Sequence, residues 1–190
     1  MIIYESLPKR RVGRTALAVT TLGFGGAPIG NMYRRFSEQN ALKTLSTAIK
    51  SGISFFDTAP RYGAGLSERR IGDVLRSLAP DQYILSTKVG RIFKAKRDAK
   101  IDELRYGFLS PMPFEPEYNY TYDGIMRSWE DSLQRLGIAH VDILLVHDLG
   151  KFNHGKLDTE YFQQFESSGY RALEELRDSG DVTAVGLGVN

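Results

Sequence analysis

The sequence predicts an α/β fold built on a parallel sheet, and three observations carry that expectation. Short apolar runs alternate with segments of helical periodicity along the chain. The runs are apolar almost throughout, as strands covered on both faces are, which fits a barrel or a doubly wound sheet. Three of them close on a polar residue at the C-terminal end: Asp57, Lys88 and His147.

Each element follows from local signals. Arg11-Val12-Gly13-Arg14-Thr15 lies between two extended stretches and is expected to form a hairpin turn, placed to cap one end of a barrel. The first apolar run is 21–26 (TLGFGG). A helix then starts at Ser37 as N-cap and ends before Gly52, with Leu42, Leu45 and Ile49 on one face. The second run, 53–56, closes in Asp57. A helix over 67–78 turns Ile71, Leu75 and Leu78 inward, and the third run, 83–87, ends at Lys88. The insertion from Gly90 to Tyr120 is rich in Pro, aromatic and basic residues and shows no regular period. The clearest helix covers 123–136, striped by Ile125, Trp129, Leu133 and Leu136 and stopped by Gly137. The fourth run, 141–146, ends at His147. A polar connection leads to a helix over about 169–178, and the fifth run, 183–189, ends at Asn190.

Composition removes several classes of function. The 190 residues are 42% hydrophobic and 25% charged, which suits residues 1–190 as a single globular domain. A net charge of +2 gives no reason to expect a nucleic-acid or acidic-membrane partner. There is no cysteine, so disulfides, zinc-thiolate sites and thiol nucleophiles are excluded. The first residues lack a leader's apolar segment and no stretch could span a bilayer, so a soluble cytoplasmic protein is expected. A dinucleotide fingerprint also fails. Gly23-Phe24-Gly25-Gly26-Ala27-Pro28 has Pro28 where a third small residue is required, and no acidic residue ends the next strand in the right relation to a ribose.

The polar strand ends carry the chemistry. In a parallel βα barrel the C-terminal edge of the strands floors the active site. Tyr62, five residues beyond Asp57, lies in a loop that would lean over that floor. A lysine beside a carboxylate stays charged, and its charge favours the ionised form of a nearby phenol. Such a phenol can give a proton to a developing alkoxide or take one from a hydroxyl, while a histidine holds the same oxygen. Proton transfer at a carbonyl or carbinol needs a hydride partner, which a nicotinamide supplies. Alone, Asp57 would cap a turn, Lys88 would be a solvated strand end, Tyr62 a packed aromatic and His147 a structural histidine. Their joint placement on one edge favours the functional reading. No dense ligand cluster for a metal is expected. A metal-dependent hydrolase on Asp57, His147 and Asp148 is disfavoured because Lys88 would repel the cation.

These residues fall in motifs. Phe56-Asp57-Thr58-Ala59-Pro60-Arg61-Tyr62-Gly63, Gly65-Leu66-Ser67-Glu68, Ser86-Thr87-Lys88-Val89-Gly90-Arg91 and Val141-Asp142-Ile143-Leu144-Leu145-Val146-His147-Asp148 together resemble the aldo-keto reductases. Tyr120-Thr121-Tyr122-Asp123-Gly124-Ile125-Met126-Arg127-Ser128 points within that family to the aldose and pyridoxal dehydrogenase branch. The resemblance runs from about Val12 to Asn190. It implies a (β/α)8 TIM barrel, a catalytic tetrad on Asp57, Tyr62, Lys88 and His147, and NAD or NADP as cofactor. It also implies that Asn190 hydrogen-bonds the nicotinamide carboxamide and that Gly25, Gly26 and Asp57 approach the cofactor. The implied reaction oxidises the anomeric hydroxyl of an aldose to a lactone, with a small carbonyl or sugar as substrate.

A full barrel of this kind takes roughly 250 residues, so about five of eight βα units plus the N-terminal hairpin are expected here. The open edges would then invite self-association. A non-catalytic binding subunit or inactive fragment of the same fold is the alternative. Arg91, Lys94, Lys96, Arg97 and Lys100 read as the basic face of a solvated lid or loop, with help for an anionic substrate or cofactor phosphate as the second reading. Phe108, Phe114, Tyr118 and Tyr120 fit a pocket lining and an anchoring role equally.

Overall fold

The structure, a computed structural model, describes residues 7–190; residues 1–6, part of the start in which no leader segment is expected, lie outside the described residues. A short hairpin of β1 (Lys9–Arg11) and β2 (Ala18–Thr20) opens the chain in register Lys9↔Thr20, closed by the expected turn around Gly13. The βα units follow: β3 (Phe24–Gly25), α1 (Glu38–Lys50), β4 (Phe55–Asp57), α2 (Leu66–Leu75) and β5 (Ile84–Val89). The 90–120 insertion holds β6 (Arg91–Ala95), β7 (Leu104–Arg105), β8 (Phe108–Leu109) and β9 (Phe114–Tyr118). The chain then runs through α3 (Tyr122–Leu136), β10 (Ile143–His147), α4 (Lys151–His154), α5 (Asp158–Gln164), α6 (Tyr170–Asp178) and β11 (Ala184–Gly188).

β3, β4, β5, β10 and β11 form one parallel sheet in that spatial order. Fully buried Phe56, Leu85 and Leu144 of its strands meet Ile71, Leu75 and Ile125 of the helices. α1 packs on α2, α2 on α3 and α3 on α6. Local chemistry sets the helix ends: the Ser37 hydroxyl accepts from Asn40 N at 3.2 Å, Thr121 caps α3 through Gly124 N, and Gly137 ends it at φ +66°. Among the described residues no helix is long and apolar enough to cross a membrane.

Four expectations change in detail. α1 turns Ala41, Leu45 and Ala48 inward with Ile49 packed beside them, as expected of Leu45 and Ile49, and it leaves Leu42 37% exposed. α2 ends at Leu75, and Leu78 packs on the core from the turn beyond. The insertion is regular after all. β6 and β9 pair antiparallel from Arg91↔Tyr118 to Ala95↔Phe114, and β7 pairs with β8. The polar connection after His147 is helical, holding α4 and α5.

The register of the sheet has a consequence for side chains. Asp57 is level with Ser86, Lys88 with Leu145, and His147 with Gly188. Each step from strand to strand therefore climbs two residues: Asp57 to Lys88, then His147, then Asn190. A step of two preserves the side-chain face, since alternate residues of a strand point the same way. Staggered registers of this sort accompany tilted strands in barrels.

Candidate active site

Lys88 is the hub of the site. It is 6% exposed, and its Nζ lies 3.0 and 2.8 Å from the two carboxylate oxygens of Asp57, 2.9 Å from the Thr58 carbonyl and 3.2 Å from the Tyr62 hydroxyl. Ser86, the residue beside Asp57 in register, donates its hydroxyl to Asp57 Oδ1 at 2.5 Å. Gly188 leaves room for this lysine: a Cβ there would stand 3.2 Å from Lys88 Cε. An ammonium so held stabilises negative charge on the neighbouring phenol oxygen.

Tyr62 comes from the loop between β4 and α2, whose path is fixed by backbone contacts. Tyr62 N donates to Ala59 O at 3.1 Å, and Ser67 N donates to Tyr62 O at 3.1 Å. Gly30 and Gly63 let the 28–33 turn press on this loop, since a Cβ on Gly63 would meet Gly30 O at 2.4 Å. The Tyr62 ring lies edge-on to His147, centroids 5.9 Å apart, and tilted against Phe108 at 6.1 Å.

His147 is buried, and Arg91 Nη1 lies 2.5 Å from its Nδ1. Burial first, then the charges of Arg91, Lys88 and Arg61, hold His147 well below the usual imidazole range. Arg91 is 2% exposed and places Nη2 2.5 Å from Asp148 Oδ2. Burial opposes its charge, but the bond to Asp148 and the contact with Tyr118 outweigh it and raise Arg91 above its ordinary value. Asp148 adopts φ +55° and also faces Arg61 at 3.3 Å and Asn190 Nδ2 at 3.4 Å. Tyr120 is fully buried, held protonated by burial, and donates to the His147 carbonyl at 2.8 Å.

An open cavity of about 490 Å³ adjoins these groups, lined by Tyr62, His147, Asp148 and Asn190 with Tyr33, Arg61, Tyr106, Phe108 and Phe152 at its walls. The structure thus brings Asp57, Tyr62, Lys88 and His147 together, with Asn190 at the rim. Gly25 is exposed, with open space where a Cβ would be. Gly26 is buried: its N donates to Asp57 O at 2.7 Å and its carbonyl accepts from Ser67 Oγ at 2.8 Å. Among the described residues no group of three or more His, Asp or Glu could hold a metal ion.

The basic run is not one face. Arg91 is buried at the site, Lys94 pairs with Glu117, and Lys96 pairs with Asp98 at 3.0 Å. Of the aromatics, Phe108 lines the cavity, while Tyr120 belongs to the core. By charge alone, Arg91 is indistinguishable in the sequence from the basic loop residues that follow it. The available signal was its place directly after a strand and Gly90, whose φ of +100° brings it against the Tyr120 ring.

Known proteins resemble this chain in sequence and in fold. Residues 21–190 match the aldo/keto reductase family. The chain is 40% identical over 190 residues to pyridoxal 4-dehydrogenase from Microbacterium luteolum, covering 96% of this chain and 55% of that protein. It is 36% identical over 174 residues to D-threo-aldose 1-dehydrogenase from a Pseudomonas species, covering 90% and 50%. Its fold matches the holo form of an aldo-keto reductase from Bacillus halodurans with a TM-score of 0.71 at 25% identity, over 96% of this chain and 50% of that one. The chain spans about half the length of the curated relatives it matches, and its sheet is correspondingly a partial barrel. A match over residues 21–190, joined to that likeness of fold, means that the chain belongs to the aldo/keto reductase family.

Proposed function

We propose that the protein is an NAD(P)-dependent oxidoreductase that moves a hydride between a nicotinamide and an aldose or related small aldehyde or alcohol, taking an aldose to its lactone. The observation that carries this reading is Lys88 Nζ, bonded at once to the Asp57 carboxylate and the Tyr62 hydroxyl. Those residues offer proton transfer and charge stabilisation, and they bring no hydride carrier of their own. A cavity of about 490 Å³ falls within the usual range for cofactor and substrate pockets, and the Asn190 amide at its rim can meet a carboxamide. Those features fit the nicotinamide end of the cofactor, which would supply the hydride exchange when bound.

The chain's own residues would do the rest. Tyr62 takes the proton from the anomeric hydroxyl in oxidation and returns it in reduction. Lys88 stabilises the charge that appears on the Tyr62 oxygen, and Asp57 and Thr58 hold Lys88 in place. His147 hydrogen-bonds the reacting oxygen and so selects its approach. Aromatic walls beside Arg61 and Asn153 suit a ligand with apolar faces and hydroxyl edges, such as a sugar. The names of the aldose and pyridoxal dehydrogenases among the relatives support the same class.

The 190-residue chain is mixed with NAD or NADP and a panel of aldoses and pyridoxal, and reduced nicotinamide is followed by absorbance. Turnover is expected, and Tyr62→Phe should lower it by about 10²–10⁴-fold while leaving cofactor binding intact. Unchanged turnover in Tyr62→Phe overturns the assignment. Cofactor binding without turnover in the unmodified chain would favour a non-catalytic binding role.

A further inference from the structure

We propose that Arg91 is a positioning residue that fixes His147 as the neutral, Nε2-protonated imidazole, making it an obligate hydrogen-bond donor to the reacting oxygen. The inference rests on the function proposed above for its catalytic meaning, but its physical content stands apart from turnover.

A guanidinium has five N–H donors and no acceptor, and it stays charged under all ordinary conditions. Arg91 Nη1, 2.5 Å from His147 Nδ1, therefore requires a lone pair on that nitrogen. In a neutral ring the proton is then left on Nε2. The guanidinium cannot turn away to relieve the requirement. Nη2 is bonded to Asp148 Oδ2 at 2.5 Å and lies 3.4 Å from the Tyr118 hydroxyl, and Cζ sits 4.9 Å from the Tyr118 ring centroid. The Arg91 carbonyl is held as well, accepting from Ser128 Oγ at 2.9 Å.

The charges that face the ring balance toward a neutral form. Arg91 comes from β6, Lys88 from β5 and Arg61 from the loop after β4; a protonated ring would be a further cation among them. Against these stand Asp57, saturated by Lys88 and Ser86, and Asp148, shared by Arg91 and Arg61. Tyr62 meets the ring edge-on and carries no fixed charge of its own, and Asn190 contributes an amide directed at Asp148. His147 Nε2 is 3.5 Å from Asp148 Oδ2, beyond the ordinary N–H···O range. The Nε2 proton is thus left for the cavity that His147 lines with Tyr62.

The test reads the ring directly. Long-range ¹H–¹⁵N correlation spectra of the uniformly labelled 190-residue chain give the state of each imidazole, and the His147→Asn spectrum assigns the missing set among the chain's three histidines. In the unmodified chain, His147 should show protonated Nε2 and bare Nδ1 throughout pH 5.5–8.5. In Arg91→Met it should acquire a titration inside that window, and Arg91→Lys, which keeps a cationic donor, should restore the neutral form. An unmodified His147 that carries its proton on Nδ1, or titrates near the ordinary value of about 6.5, overturns the proposal. So does an Arg91→Met ring identical to the original. Should Arg91→Met fail to fold, the spectrum of the unmodified chain decides alone. A chain with the expected tautomer but no turnover would fail the proposed function and leave this inference standing.

Discussion

Glu68 of α2 and Arg135 of α3 form an ion pair inside the helical layer: Arg135 Nε lies 2.6 Å from Glu68 Oε2, and the Glu68 side chain is wholly buried. The second carboxylate oxygen accepts from Thr87 Oγ1 at 2.8 Å, the residue before Lys88 on β5. One carboxylate thus ties two helices to the strand that presents the lysine. Removing one partner of a buried pair leaves the other uncompensated, a loss of about 3–5 kcal/mol. Glu68→Ala should destabilise the chain by about that amount, whereas Thr87→Val should cost about 1 kcal/mol. Urea unfolding of the three proteins checks the ranking, and equal midpoints for the original chain and Glu68→Ala would contradict it.

Gly72 gives a prediction opposite in sign to helix propensity. It lies within α2, where replacing Gly by Ala ordinarily gains about 1 kcal/mol. Here a Cβ would stand 1.9 Å from the carbonyl oxygen of Leu136 and 2.6 Å from its carbon. Those are backbone atoms of α3 and cannot swing aside. Gly72→Ala should therefore lose about 2–3 kcal/mol by overpacking. A thermal melt that rises on this substitution would show that α2 and α3 do not approach as described.

His147 makes stability depend on pH with a defined sign. Its burial, together with Arg91, Lys88 and Arg61, holds the folded ring below the ordinary value. The unfolded chain takes up a proton as pH falls through about 6.5, and the folded one does not. Stability is therefore fully present above that pH and falls below it, by about 2 kcal/mol between pH 7 and pH 5 from this residue. His154, lowered by burial and by Arg91, acts in the same direction. Urea midpoints across this range measure the slope, and His147→Asn should flatten it. A chain equally stable at pH 7 and pH 5 would refute this account.

Much of the fold and of the candidate site could be read in the residues. Ser37, Gly137 and the apolar runs carry local physics, so α1, α3 and the order of strands follow from them. Asp57, Lys88 and His147 were visible as polar ends of apolar strands. Their convergence depends on a register of two residues per strand, which no local pattern states. The insertion hid its regularity because β7 and β8 are two residues each and β9 contains Pro116, whose missing N–H is tolerated at a sheet edge. On α1, Leu45 and Ile49 pack on the core as their spacing predicts, while Leu42 is exposed and Ala41 and Ala48 take the inward positions, because both sets satisfy helical spacing. Arg91 differs again: its charge was legible, but its burial depends on Asp148, 57 residues away.

The stagger of the sheet also bears on how the chain acquires its chemistry in time. Asp57 and Lys88 are 31 residues apart, and Arg91 and His147 are 56 apart, so the contacts of Lys88 and of His147 each join separate βα units. Each junction must close a long loop before its contacts reward it, and parallel pairing of this kind makes for slow folding. In a refolding experiment followed by amide hydrogen exchange, protection of the strand amides around Lys88 and His147 should therefore return late, as β10 docks on β5, after helical signal has already recovered.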